Sequence, residues 1–209
     1  MQDSSIVMLD FETTGMSPDV GARITEVAAL RIVEGRIVER FVSLVNCGVQ
    51  VPAFITGLTG ITQRMVNGAP PAAEVVPRLV EFIGRDALAA HNAGFDEKFL
   101  MAESARLGLR PAHGHLICSL KLARRLLPGL PSYRLGAVAA SVGIRFSGSA
   151  HRAEADAEVT AKLLIHISAH LRDTYGLPVI DAELLASINR QTAAKVPRFL
   201  QKLLIPQTA

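Results

Sequence analysis

Residues 6–15, which read IVMLDFETTG, constrain this chain more than any other stretch. Four apolar residues lead directly into Asp10, and a short apolar run that ends at turn residues is typical of a buried strand. Because side chains alternate across a strand, Asp10 and Glu12 point to one face and Phe11 to the other. Two adjacent carboxylates there repel each other, and burial disfavours their charged forms. The pattern predicts a bound divalent cation such as Mg²⁺ or Mn²⁺ or, alternatively, a strand end where both acids are simply hydrated.

The composition restricts the class of protein. The chain has 209 residues, of which 49% are hydrophobic, so a globular fold with a substantial core is expected. It contains no apolar run of the roughly 20 residues that a membrane-spanning helix needs. Its first residues, MQDSS, lack the basic segment of a secretory signal, and its two cysteines have no CxxC spacing. We therefore expect a cytoplasmic protein with neither a zinc site nor a disulfide framework, whose net charge of +3 weakly favours a polyanionic partner.

Hydrophobic periodicity and turn residues predict the order of the secondary structure. Strands are expected at residues 6–9, 24–33, 36–45, 87–90 and 116–118. Helices are expected at residues 72–85, 94–107, 120–127, 133–142 and 154–175, with one more short helix within residues 52–62. A meander of three strands followed by alternating helices and strands implies an α/β fold, with a mixed sheet and helices on its faces. Ligands of such sheets bind at the carboxyl ends of the strands.

Residues 176–209 extend beyond this pattern. Asp181 is expected to cap a helix with Leu184, Leu185 and Ile188 on one side, and a second helical pattern follows at residues 195–205. The sequence thus predicts a domain at residues 1–175 and a helical extension at residues 176–209. The two helices would pack on the domain or, alternatively, contact a second copy of the chain or another partner.

Two further segments carry acids next to helix starts. HNAGFD, residues 91–96, follows a predicted strand and places Asp96 in the first turn of a helix. HRAEAD, residues 151–156, follows a small polar loop at residues 147–150 and places Asp156 in the first turn of the long helix. The helix dipole favours an acid at either position, so each segment taken alone also fits simple helix capping.

Taken together, DFETTG, HNAGFD and HRAEAD resemble the three motifs of the DEDDh 3′–5′ exonucleases, the superfamily of the DnaQ-like proofreading epsilon subunit of bacterial DNA polymerase III. The order of the motifs and the spacings Asp-x-Glu, Asn-x3-Asp and His-x4-Asp carry the resemblance. It covers about residues 4–172 and includes PGLPSYRL at residues 128–135. The fold that it implies is ribonuclease H-like, with a mixed five-stranded sheet and helices on both faces.

The resemblance also implies roles for the acids. Asp10, Glu12, Asp96 and Asp156 would hold two divalent ions, Mg²⁺ or Mn²⁺, and His151 would be the general base. Two ions about 4 Å apart can serve both the attacking and the leaving oxygen of an in-line displacement. Asp10 would bridge the ions, and Asp96 would act largely through water, because Mg²⁺ keeps several waters. A histidine ordinarily has a pKa near 6.5, so it can accept a proton from water at neutral pH.

Substrate contacts follow from the same resemblance. In the family, the backbone after the first glutamate binds the terminal 3′-hydroxyl, and apolar side chains wedge the last base. The matching positions are Thr13, Met16, Leu58 and Phe95, although ordinary core packing is the alternative for the last three. Some basic side chains would contact phosphates or, alternatively, be plain surface charges; these are Arg124, Arg125, Arg134, Arg145 and Arg152.

The sequence therefore predicts a metal-dependent 3′–5′ exonuclease that hydrolyses nucleic-acid 3′ ends, expected to be single-stranded DNA, to nucleoside monophosphates. Its expected partners are nucleic acid and either a DNA polymerase subunit or a second copy of the chain, without a membrane. One alternative is a non-catalytic nucleic-acid-binding or adaptor module that retains the fold, and another is a different metallohydrolase on the same sheet. A scaffold has no chemical need of four converging carboxylates, which favours the enzyme.

Overall fold

The computed structural model describes residues 5–146, 148 and 150–204. In that part of the chain, five strands form one mixed sheet in the order β3-β2-β1-β4-β5. The strands are β1 Ile6–Thr13, β2 Ile24–Val33, β3 Arg36–Leu44, β4 Ala87–Ala90 and β5 Leu116–Cys118. β1, β2 and β3 form an antiparallel meander, whereas β4 pairs parallel to β1 and β5 parallel to β4. The predicted mixed five-stranded sheet is confirmed.

The helices cover both faces of this sheet, as predicted. They are α1 Ala53–Thr59, α2 Gln63–Asn67, α3 Ala72–Ile83, α4 Gly94–Arg106, α5 Ser119–Leu126, α6 Leu135–Ser141, α7 Ala153–Tyr175, α8 Ala182–Arg190 and α9 Val196–Leu204. Among the helices of the described residues, none combines the length and the apolar character that spanning a membrane requires.

Alternate residues of β1 divide the core into two layers. Val7 and Leu9 are buried against α3 and α4 on one face. Ile6 and Met8 are buried on the other face, against the helices from α5 to α9. Asp10 and Glu12 continue the second set by alternation, so they lie on the face that α7 covers. The alternation of side chains along β1 thus determines both which residues form the core and on which face the acids lie.

Local backbone preferences explain where several elements begin and end. The hairpin between β2 and β3 turns at Glu34 and Gly35, which both have positive φ, 50° and 73°, as the favoured two-residue hairpin turns require. Only one short helix is predicted within residues 52–62, and α1 fits it. A second helix, α2, begins just beyond, because the Thr62 hydroxyl accepts a hydrogen bond from the Met65 N–H and caps it.

The helices of the predicted extension pack on the sheet. Leu185 and Ile188 of α8 and Leu200 of α9 are buried in the same cluster as β1 and α7. The Asn189 side chain also pairs with the free edge of β5, since its amide oxygen accepts from the Cys118 N–H at 2.6 Å and its amide nitrogen donates to the Cys118 carbonyl at 3.2 Å. A side-chain amide thereby satisfies backbone groups that an edge strand would leave unpaired. The division of the chain at residue 175 stays a prediction.

Some expectations reach outside the described residues. The polar loop predicted at residues 147–150 and the helical pattern predicted at residues 195–205 are only partly described, and most of the MQDSS segment lies outside the described residues as well. Within the described part, a short 3₁₀ turn at Ala193–Lys195 precedes α9, which begins at Val196.

Candidate active site

Asp10 and Glu12 lie near the carboxyl end of β1, which continues through both acids to Thr13. Across the antiparallel pair, Asp10 is opposite Ala28 of β2 and Glu12 is opposite Glu26. The register shifts between Glu12 and Thr13, so the regular ladder is interrupted directly after the second acid. Both carboxylates are half-buried and point toward the start of α7.

Asp96 joins this edge from the next parallel strand. After β4, Asn92 adopts a positive φ of 75°, and its carbonyl accepts a hydrogen bond from the Phe95 N–H at 2.8 Å. This tight turn starts α4 at once, so Asp96 falls in its first turn. The buried Asp96 carboxylate accepts a hydrogen bond from the Phe11 N–H at 3.2 Å. Asp96 therefore holds the start of α4 against the middle of the Asp10-Phe11-Glu12 segment.

His151 and Asp156 arrive from the other end of the chain, at the start of α7. His151 has a positive φ of 62°, and its backbone N–H donates to Asp156 Oδ2 at 3.0 Å. The side chain of His151 is exposed, whereas that of Asp156 is half-buried. Ligand atoms of Glu12, His151 and Asp156 all lie within 4.8 Å of one another. The structure thus brings all five predicted catalytic residues to one edge of the sheet.

Burial and mutual repulsion shape the electrostatics of the site. Burial, followed by the charges of Asp96 and Asp156, raises the pKa of Asp10 well above its usual value. Burial raises the pKa of Asp96 to about 8, against the opposing effect of the Phe11 N–H. Burial and the charge of Asp156 raise the pKa of Glu12 to about 7. Burial also raises the pKa of Asp156, although the His151 N–H opposes the shift.

A bound cation would stabilise the charged forms of these acids, which burial and mutual repulsion disfavour. The donors that converge here are mostly carboxylate oxygens, which hard divalent ions prefer, and one imidazole lies beside them. The residues present therefore fit a divalent metal site, with Glu12, His151 and Asp156 closest together.

A cleft of about 680 Å³ opens over these residues. Asp10, His151 and Asp156 line it, together with Leu58 of α1 and His91. Leu58 is 52% exposed, so its placement in ordinary core is wrong, and it offers an apolar surface beside the acids. The cleft therefore combines charged and apolar surfaces, as a site for a nucleotide needs.

The other predicted substrate residues lie in different settings. Met16 is 83% exposed in the segment after β1, so it is not a core residue either. Phe95 is half-buried and packs on Phe99, with ring centroids 4.9 Å apart. The buried Thr13 donates its hydroxyl to the Gly15 carbonyl at 2.7 Å, which shapes the turn after Glu12. Their contact with substrate stays a prediction.

Two further residues of this region were not predicted from the sequence. His91 lies in the cleft with Nε2 3.0 Å from the Tyr133 carbonyl and Nδ1 2.8 Å from Ser119 Oγ. Because a carbonyl only accepts, Nε2 carries the proton and Nδ1 accepts from the serine. Burial lowers the pKa of His91 and so favours this neutral form. The other residue is Glu26, a buried acid inside the apolar segment ITEVAAL, which is the signal that could have pointed to it.

Comparison with known proteins agrees with this geometry. The family model RNase_T, described as Exonuclease, matches residues 7–164. The DNA polymerase III subunit epsilon of Aquifex aeolicus is 35% identical over 175 residues, covering 84% of this chain and 86% of that protein. DNA polymerase III PolC-type of Clostridium perfringens is 40% identical over 162 residues, which are 78% of this chain but 11% of that protein. The chain thus spans most of the first relative and a small part of the second.

Solved structures show the same fold. Exonuclease X in complex with 5′ overhanging duplex DNA superposes with a TM-score of 0.68 at 30% identity, covering 88% of this chain and 99% of that one. The nuclease domain of 3′hExo, a DEDDh family member bound to rAMP, has a TM-score of 0.69 at 20% identity, covering 80% of this chain and 93% of that one. The second likeness shows the fold alone. The chain belongs to the exonuclease family, among the DnaQ-like DEDDh 3′–5′ exonucleases.

Proposed function

We propose that this protein removes nucleoside monophosphates from the 3′ ends of single-stranded DNA in a reaction that depends on two divalent metal ions. The observation that carries the proposal is the convergence of Asp10, Glu12, Asp96 and Asp156 from three separate segments beside an exposed histidine in a cleft. Structural ion pairs do not need four such acids with raised pKa values, whereas a metal-dependent hydrolase does.

Each residue of the site has a part in this reaction. The four acids would hold Mg²⁺ or Mn²⁺. When bound, such ions activate water and stabilise the oxygen that leaves. His151 lies in the same cleft with its ring exposed, so it accepts the proton of the attacking water. The water oxygen bonds to the phosphorus while the bond to the 3′ oxygen of the preceding nucleotide breaks. The leaving 3′ oxygen takes a proton from solvent water, so the products are a 5′-monophosphate and a new 3′-hydroxyl.

The choice of DNA rests on the relatives, and the choice of a single strand rests on two exposed apolar side chains. Exonuclease X, at 30% identity, is seen with duplex DNA that has a 5′ overhang, and the epsilon relative is a DNA polymerase subunit. The exposed apolar side chains Leu58 and Met16 would contact an unpaired terminal base, since a base within a duplex is already stacked. The likeness to the epsilon subunit is also the reason to propose association with a DNA polymerase subunit.

The arginines suggest a path for the strand that leads to the site. Arg125 donates to the main-chain carbonyls of Gln191 and Asn189, so it is committed to structure. Arg124 and Arg134 are exposed and line a groove of about 520 Å³, in which Arg124 also lies over the Tyr133 ring at 5.8 Å. This groove shares His91, Ser132 and Arg134 with the acidic cleft. We place the phosphates that precede the terminal nucleotide in it.

Reversing the charge of this groove tests the path. In an Arg124→Glu variant, binding of single-stranded DNA in chelator should weaken and should depend less steeply on salt, because one phosphate contact is lost. Arg110→Glu is the matched control. Arg110 is also exposed, but it precedes β5, near the amino ends of the parallel strands, whereas the site lies at their carboxyl ends. Fluorescence anisotropy over a salt series measures both effects. Equal weakening in the two variants would mean a general charge effect and no defined path.

The direct test of the proposed function uses end-labelled single-stranded DNA, mismatched duplex and RNA side by side. With Mg²⁺ or Mn²⁺, the single strand should be shortened fastest and from its 3′ end, and a chelator should stop the reaction. A phosphate on the 3′ end should block degradation far more than one on the 5′ end, because the turn at Thr13 is expected to receive a free 3′-hydroxyl. Cutting of circular single strands would show an endonuclease, and no turnover with any substrate would favour the non-catalytic adaptor.

A further inference from the structure

Glu26 is a buried acid next to the site that the four-carboxylate scheme does not use. It lies on β2 directly opposite Glu12 and is 3% exposed. A carboxylate is rarely buried to this extent unless it is paired, because removing a charge from water is costly. Without a partner, Glu26 would also add a fifth negative charge beside Glu12.

The partner of Glu26 is Arg152, the residue that follows His151. Arg152 Nη2 donates to Glu26 Oε1 at 2.6 Å, and Arg152 Nε donates to Oε2 at 3.1 Å. The Ala153 N–H donates to the same Oε2 at 2.9 Å. Both carboxylate oxygens are therefore occupied, and the two charges form a forked pair of the strong, directional kind.

These contacts fix the start of α7. The helix begins at Ala153, and Arg152 at its N-cap position makes no capping hydrogen bond with its own side chain. Glu26 supplies the missing acceptor from a strand 126 residues earlier in the chain, and its negative charge also complements the positive end of the helix dipole. His151 directly precedes the two residues that contact Glu26, and Asp156 follows them in the first turn of α7.

We infer that Glu26 and Arg152 are positioning residues of the exonuclease site. Their forked pair ties the start of α7 to β2, and so holds His151 and Asp156 at their places opposite Glu12. It also engages both oxygens of the fifth carboxylate and places the positive charge of Arg152 beside it. The role in catalysis rests on the proposed function, whereas the positioning of Asp156 does not.

The protein contains a second forked pair that serves as a matched control. Arg23 Nε donates to Glu103 Oε1 at 2.6 Å, and Arg23 Nη2 donates to Oε2 at 2.8 Å. Glu103 is 2% exposed, so its carboxylate is as buried as that of Glu26. It lies about two turns of α4 beyond Asp96, away from the start of α7. A purely structural contribution of a forked arginine–glutamate pair should be similar at both places.

The experiment compares Arg152→Ala with Arg23→Ala in the full chain. Three quantities are measured: the affinity of the DNA-free protein for Mn²⁺ by calorimetry, hydrogen exchange of the amides at residues 151–157, and kcat and KM on single-stranded DNA. In Arg152→Ala, Mn²⁺ affinity or kcat should fall about 10- to 100-fold, as is usual when groups that orient metal ligands are removed. The amides at residues 151–157 should exchange faster, and KM for DNA should change little.

Arg23→Ala should unfold at a lower temperature and yet keep the wild-type Mn²⁺ affinity, kcat and exchange at residues 151–157. Arg152→Lys, which keeps the charge but loses the fork, should fall between wild type and Arg152→Ala and carries the test if the alanine variant does not fold. Wild-type values of both Mn²⁺ affinity and kcat in Arg152→Ala, or equal losses in Arg23→Ala, would overturn the inference. If the wild type itself degrades no nucleic acid, the proposed function fails, and the Mn²⁺ and exchange measurements still decide the positioning role.

Discussion

The Asp10→Ala variant is expected to lose cleavage while keeping its fold. Asp10 is at the centre of the acidic group, since Asp96, Asp156 and Glu12 all act on its pKa. Removing it takes away one of the carboxylates that would hold the proposed metal ions. The rate should fall by roughly 10³-fold or more, because a catalytic metal contributes several kcal/mol to stabilising the transition state. Degradation of end-labelled single-stranded DNA at saturating Mg²⁺ measures the loss. Turnover at the wild-type rate would contradict the two-metal proposal.

The same variant should be more stable than the wild type when metal is absent, and the sign depends on pH. The pKa values of Asp10, Glu12 and Asp96 are raised on folding, to about 7 for Glu12 and about 8 for Asp96. Between their ordinary values and these raised ones, the folded state binds more protons than the unfolded state. Stability in chelator should therefore fall as pH rises from about 4 to 8. Because Asp10→Ala removes part of the repulsion, its gain should be largest near pH 8.

Thermal unfolding in chelator at several pH values measures this gain. Asp19→Ala is a suitable control, because a hydrogen bond from Lys98 lowers the pKa of the exposed Asp19, whereas the pKa values of the acids in the site are raised. Its removal should give no gain near pH 8. A stability of the metal-free wild type that rises steadily from pH 5 to pH 8 would show that the acids do not repel each other as their raised pKa values indicate.

The parts of this site that the sequence predicts are those set by short-range patterns. The alternation along β1 fixes that Asp10 and Glu12 share a face, and the turn at Asn92 fixes that Asp96 falls in the first turn of α4. The strand order also fixes that these acids meet at one edge of the sheet. The first two features follow from residues close together in sequence, whereas the meeting of the acids is implied by the resemblance to the exonuclease motifs.

The parts that were not predicted depend on pairs far apart in the chain. Glu26 meets Arg152 across 126 residues, and Asn189 meets the edge of β5 across 71 residues. A glutamate in an apolar strand and an arginine after a histidine carry no local signal that they will meet. The burial of one carboxylate then selects its partner, because an unpaired charge there would be costly. Arg152 is among the arginines that the sequence predicts to contact phosphates, whereas in the structure its guanidinium is paired with Glu26.

Replacing His151 should separate a general base from a metal ligand. The imidazole of His151 offers a ligand atom within 4.8 Å of carboxylate oxygens of both Glu12 and Asp156, so its position fits either role. If His151 accepts the proton of the attacking water, His151→Ala should keep the wild-type Mn²⁺ affinity. Its rate should fall by roughly 10² to 10⁴, the usual contribution of a positioned base. Raising the pH should restore part of the rate, because hydroxide then replaces the water that needs a base.

Asp156→Ala and His166→Ala complete the comparison. Asp156 contributes a carboxylate to the acidic group, so its removal should weaken Mn²⁺ binding directly. His166 lies on α7 ten residues after Asp156, about 15 Å along the helix. Its removal should change neither the Mn²⁺ affinity nor the rate. Mn²⁺ affinity by calorimetry and single-turnover rates in one buffer series give both quantities for all the variants. If His151→Ala loses Mn²⁺ affinity as severely as Asp156→Ala, the histidine is a ligand or a support, and another group must take the proton.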